Sequence, residues 1–177
     1  FNEISNQVEF VISPSNISEE IKNDAIRIAI ETAEKFNLIG LLAVEMFLTE
    51  DNQIFINEVA PRPHNSGHFT IDACNTSQFE QHIRAILGIE LGDISQKGNA
   101  IMLNLVGEEN SFGKVIYSKL DNALNDDSSY VHIYGKEETR PNRKMGHITI
   151  ICDNFEDAYT KAKNFKNTIK VKSINNG

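Results

Sequence analysis

The chain has 177 residues, 40% apolar and 24% charged, with a formal net charge of −8; that supports one ordinary domain, or a domain with a small appendage, and argues against nucleic acid or an anionic membrane as partner. No stretch approaches the ~18 consecutive apolar residues of a membrane span, and Phe1-Asn2-Glu3-Ile4 has neither the basic start nor the apolar run of a secretory signal. Only two cysteines occur, Cys74 and Cys152, without metal-type spacing, which suits a reducing cytoplasm better than a disulfide framework.

Residues 8–12 (VEFVI) read as a short strand. Ser18 follows as a helix N-cap, with Glu19 and Glu20 in the first turn where carboxylates favour the helix dipole. Ile21, Ala25, Ile28, Thr32 and Phe36 recur at helical spacing, and Asn37 and Gly40 close the segment. A second helix starts at Ser77, with Glu80 completing a capping box; its expected buried face is Phe79, Ile83, Ile86 and Leu87, and Gly88 stops it. Past the polar stretch 91–99, strand-like runs at 100–106, 130–134 and 147–151 dominate, with one helix near 155–166 capped by Asp153 or Asn154. Strands and helices mix without regular βαβ alternation, so the class is α+β. The expected division is 1–90 and a small β-rich part at 91–177.

The most informative stretch is 41–60, LLAVEMFLTEDNQIFINEVA. Two apolar runs flank Asp51-Asn52, which suit a two-residue hairpin turn because both tolerate positive φ. With those two as the turn, Glu45 falls directly opposite Glu58. Like charges across an antiparallel ladder destabilise it, and the apolar neighbours suggest covered strands. Either the two side chains point to water at a sheet edge, or a proton or a cation sits between them. Two hard oxygen ligands with room for waters and phosphate oxygens describe a Mg²⁺ site for a nucleotide.

Two loops offer further chemistry. Residues 61–68, PRPHNSGH, are stiffened by two prolines and present Arg62, His64, Asn65 and His68; the plain alternative is a surface connection with incidental histidines. Residues 135–147, GKEETRPNRKMGH, gather Lys136, Arg140, Arg143 and Lys144 between two strands. In an acidic protein such a cluster suits one phosphorylated small molecule, unless it is a solvated loop neutralised by Glu137 and Glu138.

The run from Ile56 to Gly88, with its NEVAPRPHNSGH core, closely resembles the N5-carboxyaminoimidazole ribonucleotide synthetase family of ATP-grasp enzymes, and YGKEETRPNRKMGH at 134–147 resembles that family's second signature. The resemblance implies the carboxy-terminal half of an ATP-grasp domain, an antiparallel sheet with flanking helices, followed by a small β-rich subdomain. It implies a cytoplasmic, homodimeric ligase that uses ATP, Mg²⁺ (or Mn²⁺) and bicarbonate to carboxylate aminoimidazole ribonucleotide by way of carboxyphosphate. Glu45 and Glu58 would hold the metal, with Asn57 and Glu58 at the nucleotide. Lys136 and Arg143, with Arg140, would grip the ribonucleotide phosphate, and Arg62, His64, Asn65 and His68 would line the bicarbonate and acceptor region. Asn142 stands where family members often have Gly, and Asn also accepts a left-handed turn. The family's amino-terminal nucleotide-fold domain, glycine-rich lid and ATP-binding lysines have no counterpart in the 177 residues, so the chain alone is expected not to turn over. Two other readings compete: another ATP-grasp carboxylase such as a biotin carboxylase, disfavoured by Ala60 and the PHNSGH loop, and a non-catalytic binding or dimerisation module that keeps the fold.

Overall fold

The computed structural model describes residues 8–174; the opening residues 1–4, read above as no secretory signal, lie outside them. Two compact units are present. One runs from Ser15 to Gln96; the other runs from Lys97 onward and includes the segment ending at Pro14.

The second unit is built on a four-stranded antiparallel sheet. Its order is β1 (Phe10–Ser13), β4 (Asn99–Val106), β8 (Lys144–Cys152) and β6 (Ser129–Ile133). The expected strand at 8–12 is β1, shifted so that Phe10 pairs with Leu103. Helix α5 (Phe155–Thr168) lays Ala158, Ala162 and Phe165, one stripe at i, i+4 and i+7, against Ile101, Leu103, Leu105, Met145, Ile148 and Ile150. Asn154 is its N-cap, with Oδ1 accepting from Glu156 N at 2.8 Å. A smaller sheet in the order β7 (Glu138–Thr139), β5 (Gly113–Ser118), β9 (Lys170–Ser173) escaped the sequence reading, because β7 and β9 are only two and four residues long and show no usable period. Helix α4 (Asp121–Leu124) was likewise too short to show a period.

A polar knot ties α5 to the turn before β6. Asp126 accepts from Lys161 Nζ at 2.7 Å and from the Ser128 and Ser129 hydroxyls. Burial pushes the Asp126 carboxyl up, but Lys161 and the serine donors together outweigh it and hold the group at about 2. A carboxylate with a depressed folded pKa stabilises the fold above its unfolded value and loses that contribution as pH falls through the folded one. Asp126→Asn should therefore cost on the order of 2 kcal/mol near pH 7, with the difference from the parent vanishing as pH drops from 4 toward about 2. Denaturant melts across that pH range measure it.

In the first unit, α1 (Glu19–Lys35) begins at Ser18, whose Oγ accepts from Ile21 N at 3.3 Å. Asn37 (φ 48) and Gly40 (φ 131) end it as expected. α3 (Gln78–Leu87) starts from Ser77, whose Oγ takes Glu80 N, and stops at left-handed Gly88. Its expected buried face is wrong: Phe79, Ile83, Ile86 and Leu87 are all exposed. The helix is held instead by its polar edge, through side chains bonded to backbone. Gln78 is buried and takes His64 N, Gln81 exchanges two bonds with Gly92, and His82 Nδ1 accepts from Leu41 N at 2.9 Å. Glu80 pairs with Arg84 rather than closing the capping box.

Candidate functional site

The hairpin consists of β2 (Ala43–Leu48) and β3 (Ile54–Ala60). Its turn is longer than the expected two residues. Thr49 N donates to Gln53 O at 3.0 Å, so Glu50, Asp51 and Asn52 form the loop, with Asn52 at φ 63. Loops of three residues ending in a left-handed one are a common hairpin connection. Asp51 secures this one by accepting from Thr49 Oγ1 and Gln53 Nε2. That loop alone would place Glu45 opposite Asn57. A bulge follows, however: Met46 faces Ile56, Asn57 is the extra residue, and Glu45 faces Glu58. The expected carboxylate pairing holds because two irregularities cancel.

Bulges re-aim side chains, and Asn57 Nδ2 reaches Glu45 Oε2 at 3.3 Å. From the loop beyond β3, His64 Nε2 lies 3.4 Å from Glu45 Oε1 and 3.9 Å from Glu58 Oε1. One donor atom from each of Glu45, Glu58 and His64 falls within 4.8 Å of the others. The expectation of covered strands is not met: Phe47, Leu48, Phe55 and Ile56 are exposed, and the Glu58 side chain is 58% accessible. Solvent reaches the pair, so their apposition is enforced by the bulge and the loop rather than by burial. Two carboxylates and an amide with open positions between them suit a hard divalent cation such as Mg²⁺ or Mn²⁺.

The 61–68 loop turns through a 3₁₀ segment, Asn65–Gly67, and is stiffened from within. His64 Nδ1 meets Ser66 Oγ at 2.8 Å, and Asn65 O accepts from His68 N. Arg62 folds back, Nη1 donating to Pro63 O at 3.0 Å, and is not among the groups around the carboxylate pair. His68 lies against Phe79, with ring centroids 5.4 Å apart. The side chain holding the loop is Gln78, which the sequence reading missed; a buried glutamine one residue into an amphipathic helix leaves no periodic signal.

The basic cluster lies in the other unit and is not one loop: Glu138–Thr139 forms β7, and Lys144 already belongs to β8. Between them Arg140-Pro141-Asn142-Arg143 makes a tight turn, Arg143 N donating to Arg140 O at 3.1 Å, with Asn142 at φ 61. Proline second and a left-handed residue third is type II chemistry, and Asn142 takes that conformation as expected. Lys136 Nζ donates to Lys144 O at 2.6 Å, and Arg143 Nη1 donates to Glu138 O at 2.7 Å. Burial, then the charges of Arg143 and Arg140, push the Lys136 ammonium below the usual lysine range. A lysine whose charge is opposed by two arginines suits a bound anion.

Residues 2–79 match the ATP-grasp domain family, and residues 100–161 match the phosphoribosylaminoimidazole carboxylase C-terminal domain family. The chain is 47% identical over 140 residues to the N5-carboxyaminoimidazole ribonucleotide synthase of Bacillus subtilis, an alignment covering 79% of this chain and 35% of that protein. Its fold is similar to the crystal structure of the Thermotoga maritima synthetase, with a TM-score of 0.90 and 47% identity over 93% of this chain and 46% of that one. An Aspergillus clavatus N5-carboxyaminoimidazole synthase, solved with ADP and 5-aminoimidazole ribonucleotide, superposes with a TM-score of 0.81 at 33% identity over 92% of this chain and 44% of that one. The chain thus spans between a third and a half of the length of these relatives.

Proposed function

The chain belongs to the N5-carboxyaminoimidazole ribonucleotide synthase family of ATP-grasp enzymes, and from that premise we propose that it supplies the metal-binding and ribonucleotide-binding parts of a cytoplasmic, homodimeric ligase. The ligase consumes ATP and bicarbonate to carboxylate the exocyclic amine of aminoimidazole ribonucleotide. The observation that supports this best is the apposition of Glu45 and Glu58 in the segment that carries the family's signature.

In this reading Glu45 and Glu58 would hold the Mg²⁺ (or Mn²⁺) that accompanies ATP, with Asn57 beside them. A cation there supplies neutralisation of charge during phosphoryl transfer. The γ-phosphoryl group passes to a bicarbonate oxygen with loss of ADP. The amine then attacks the carboxyl carbon of carboxyphosphate, the C–O bond to phosphate breaks, and the departing phosphate takes up the proton the amine loses. Arg62, His64, Asn65 and His68 line this region. His64, held by Ser66, keeps an imidazole nitrogen at the carboxylate pair, and Arg62 must leave Pro63 to reach an anion. Lys136, Arg140 and Arg143 bind the ribonucleotide phosphate, whose charge offsets the opposition of the two arginines to Lys136.

The test is a graft of this chain into the Bacillus subtilis relative in place of its matching segment. Phosphate release from ATP and bicarbonate is then measured with and without aminoimidazole ribonucleotide. The chimera should be stimulated by the ribonucleotide, whereas the 177 residues alone should not turn over. A folded chimera that binds ATP without stimulation would remove the proposed acceptor, and turnover by the chain alone would remove the proposed division of labour.

A further inference from the structure

Gln78 is 7% exposed and makes four hydrogen bonds that converge on the 61–68 loop. Its backbone N donates to Thr70 Oγ1 at 2.9 Å, and Thr70 Oγ1 donates in turn to Gly67 O. Its side-chain amide grips His64 at both backbone groups: Oε1 accepts from His64 N at 2.9 Å, and Nε2 donates to His64 O at 2.8 Å. The same Nε2 lies 2.8 Å from His68 Nδ1.

Which end of a glutamine amide is oxygen is usually inferred from its neighbours. Here the neighbours leave no choice. A backbone N–H only donates and a carbonyl only accepts, so the oxygen faces His64 N and the NH₂ faces His64 O. The second hydrogen of that NH₂ then points at His68 Nδ1, which must accept it and so carries no proton. The proton of the His68 ring therefore sits on Nε2.

We infer that Gln78 is a positioning residue that fixes His64 through its backbone and holds His68 as the Nε2–H tautomer. His68 Nδ1 is thereby engaged as an acceptor and does not serve as the base that takes a proton. That this ordering of the loop serves the carboxylation rests on the ligase reading; the tautomer does not. Gly67 belongs to the same device. A Cβ there would stand 2.5 Å from Gln78 Oε1 and 2.7 Å from its Cδ, closer than van der Waals contact permits. The amide cannot swing aside without losing bonds to His64 and His68.

Long-range ¹H–¹⁵N spectra of the histidine rings in the ¹⁵N-labelled chain test this. The His68 signals should show an unprotonated Nδ1 and a protonated Nε2. In Gln78→Glu the carboxylate has no hydrogen to give, so the proton should move to Nδ1. In Gly67→Ala the displaced amide should leave the two tautomers averaged. A proton on Nδ1 in the unsubstituted chain, or an unchanged pattern in a folded Gln78→Glu chain, overturns the inference. Should the substituted chains fail to fold, the parent spectrum still decides. In an active chimera, Gln78→Glu should lower kcat about a hundredfold, the usual cost of a misplaced group, with KM for ATP changed by less than about threefold. A uniform loss of folded enzyme would instead lower the apparent kcat without any change of tautomer, and so count against a positioning role. A chimera inactive with Gln78 in place defeats the ligase reading and leaves the tautomer result standing.

Discussion

Replacing both Glu45 and Glu58 by glutamine should raise the stability of the chain and, in the chimera with the Bacillus subtilis relative, abolish the proposed use of Mg²⁺-ATP. Both effects come from one geometry. The two carboxylates face each other across the ladder because the bulge at Asn57 puts them there, and directly opposed like charges in a sheet cost roughly 0.2–1 kcal/mol. Glutamine keeps the shape and an oxygen to accept from Asn57 but removes the repulsion. Removing even an outer-shell partner of a metal ligand typically lowers affinity or activity about 10–100-fold. Loss of both carboxylate ligands should therefore reduce kcat/KM of the chimera by more than about a hundredfold. Denaturant melts of the chain and phosphate release by the chimera measure the two halves. A non-catalytic module would show the gain in stability with no change in divalent-cation binding.

Gly107→Ala should be the most damaging single methyl in the second unit. Gly107 N donates to Arg143 O, and Gly107 O accepts from Asn142 N, so the backbone of Gly107 cradles the Arg140–Arg143 turn. A Cβ there would lie 2.2 Å from Arg140 O and 2.4 Å from Thr139 Oγ1. The first of these is backbone and the second a buried hydroxyl, so neither can swing clear as a long side chain would. The turn must shift, at a cost of about 1–3 kcal/mol for an overpacked site. Arg140 and Arg143 then lose the spacing that sets them against Lys136. Affinity of the chimera for the ribonucleotide should fall about tenfold or more, and KM for ATP should change little. A melt and a ribonucleotide titration check both, and tight ribonucleotide binding with a lowered melting point would separate the turn from the site.

Much of the fold was legible because its pieces are local. Ser18, Ser77 and Asn154 announce helix starts through the hydrogen bonds they make. Asn142 signals its left-handed turn by following a proline. The Glu45–Glu58 pairing was legible only by a cancellation, since no sequence feature marks Asn57 as a bulge residue rather than an ordinary strand position. The burial of α3 was misread for a different reason. An isoleucine stripe normally marks the docked face, but here Gln78, Gln81 and His82 dock the helix by bonding backbone groups of three separate segments. Long-range bonds of that kind leave no periodicity. The same holds for Gln78 and His68, ten residues apart and joined only once the loop has folded.

In the proposed ligase Glu45, Glu58 and their neighbours form one cation site. Mn²⁺ added in small fractions to the ¹⁵N-labelled chain tests it most directly, because paramagnetic broadening marks the residues nearest the ion even when binding is weak. Selective loss of the signals of Glu45, Asn57, Glu58 and His64, reversed by excess Mg²⁺ and absent in the double glutamine chain, is the expected result. Broadening that instead spreads over the acidic surface of α1, or that persists unchanged in the double glutamine chain, would contradict it.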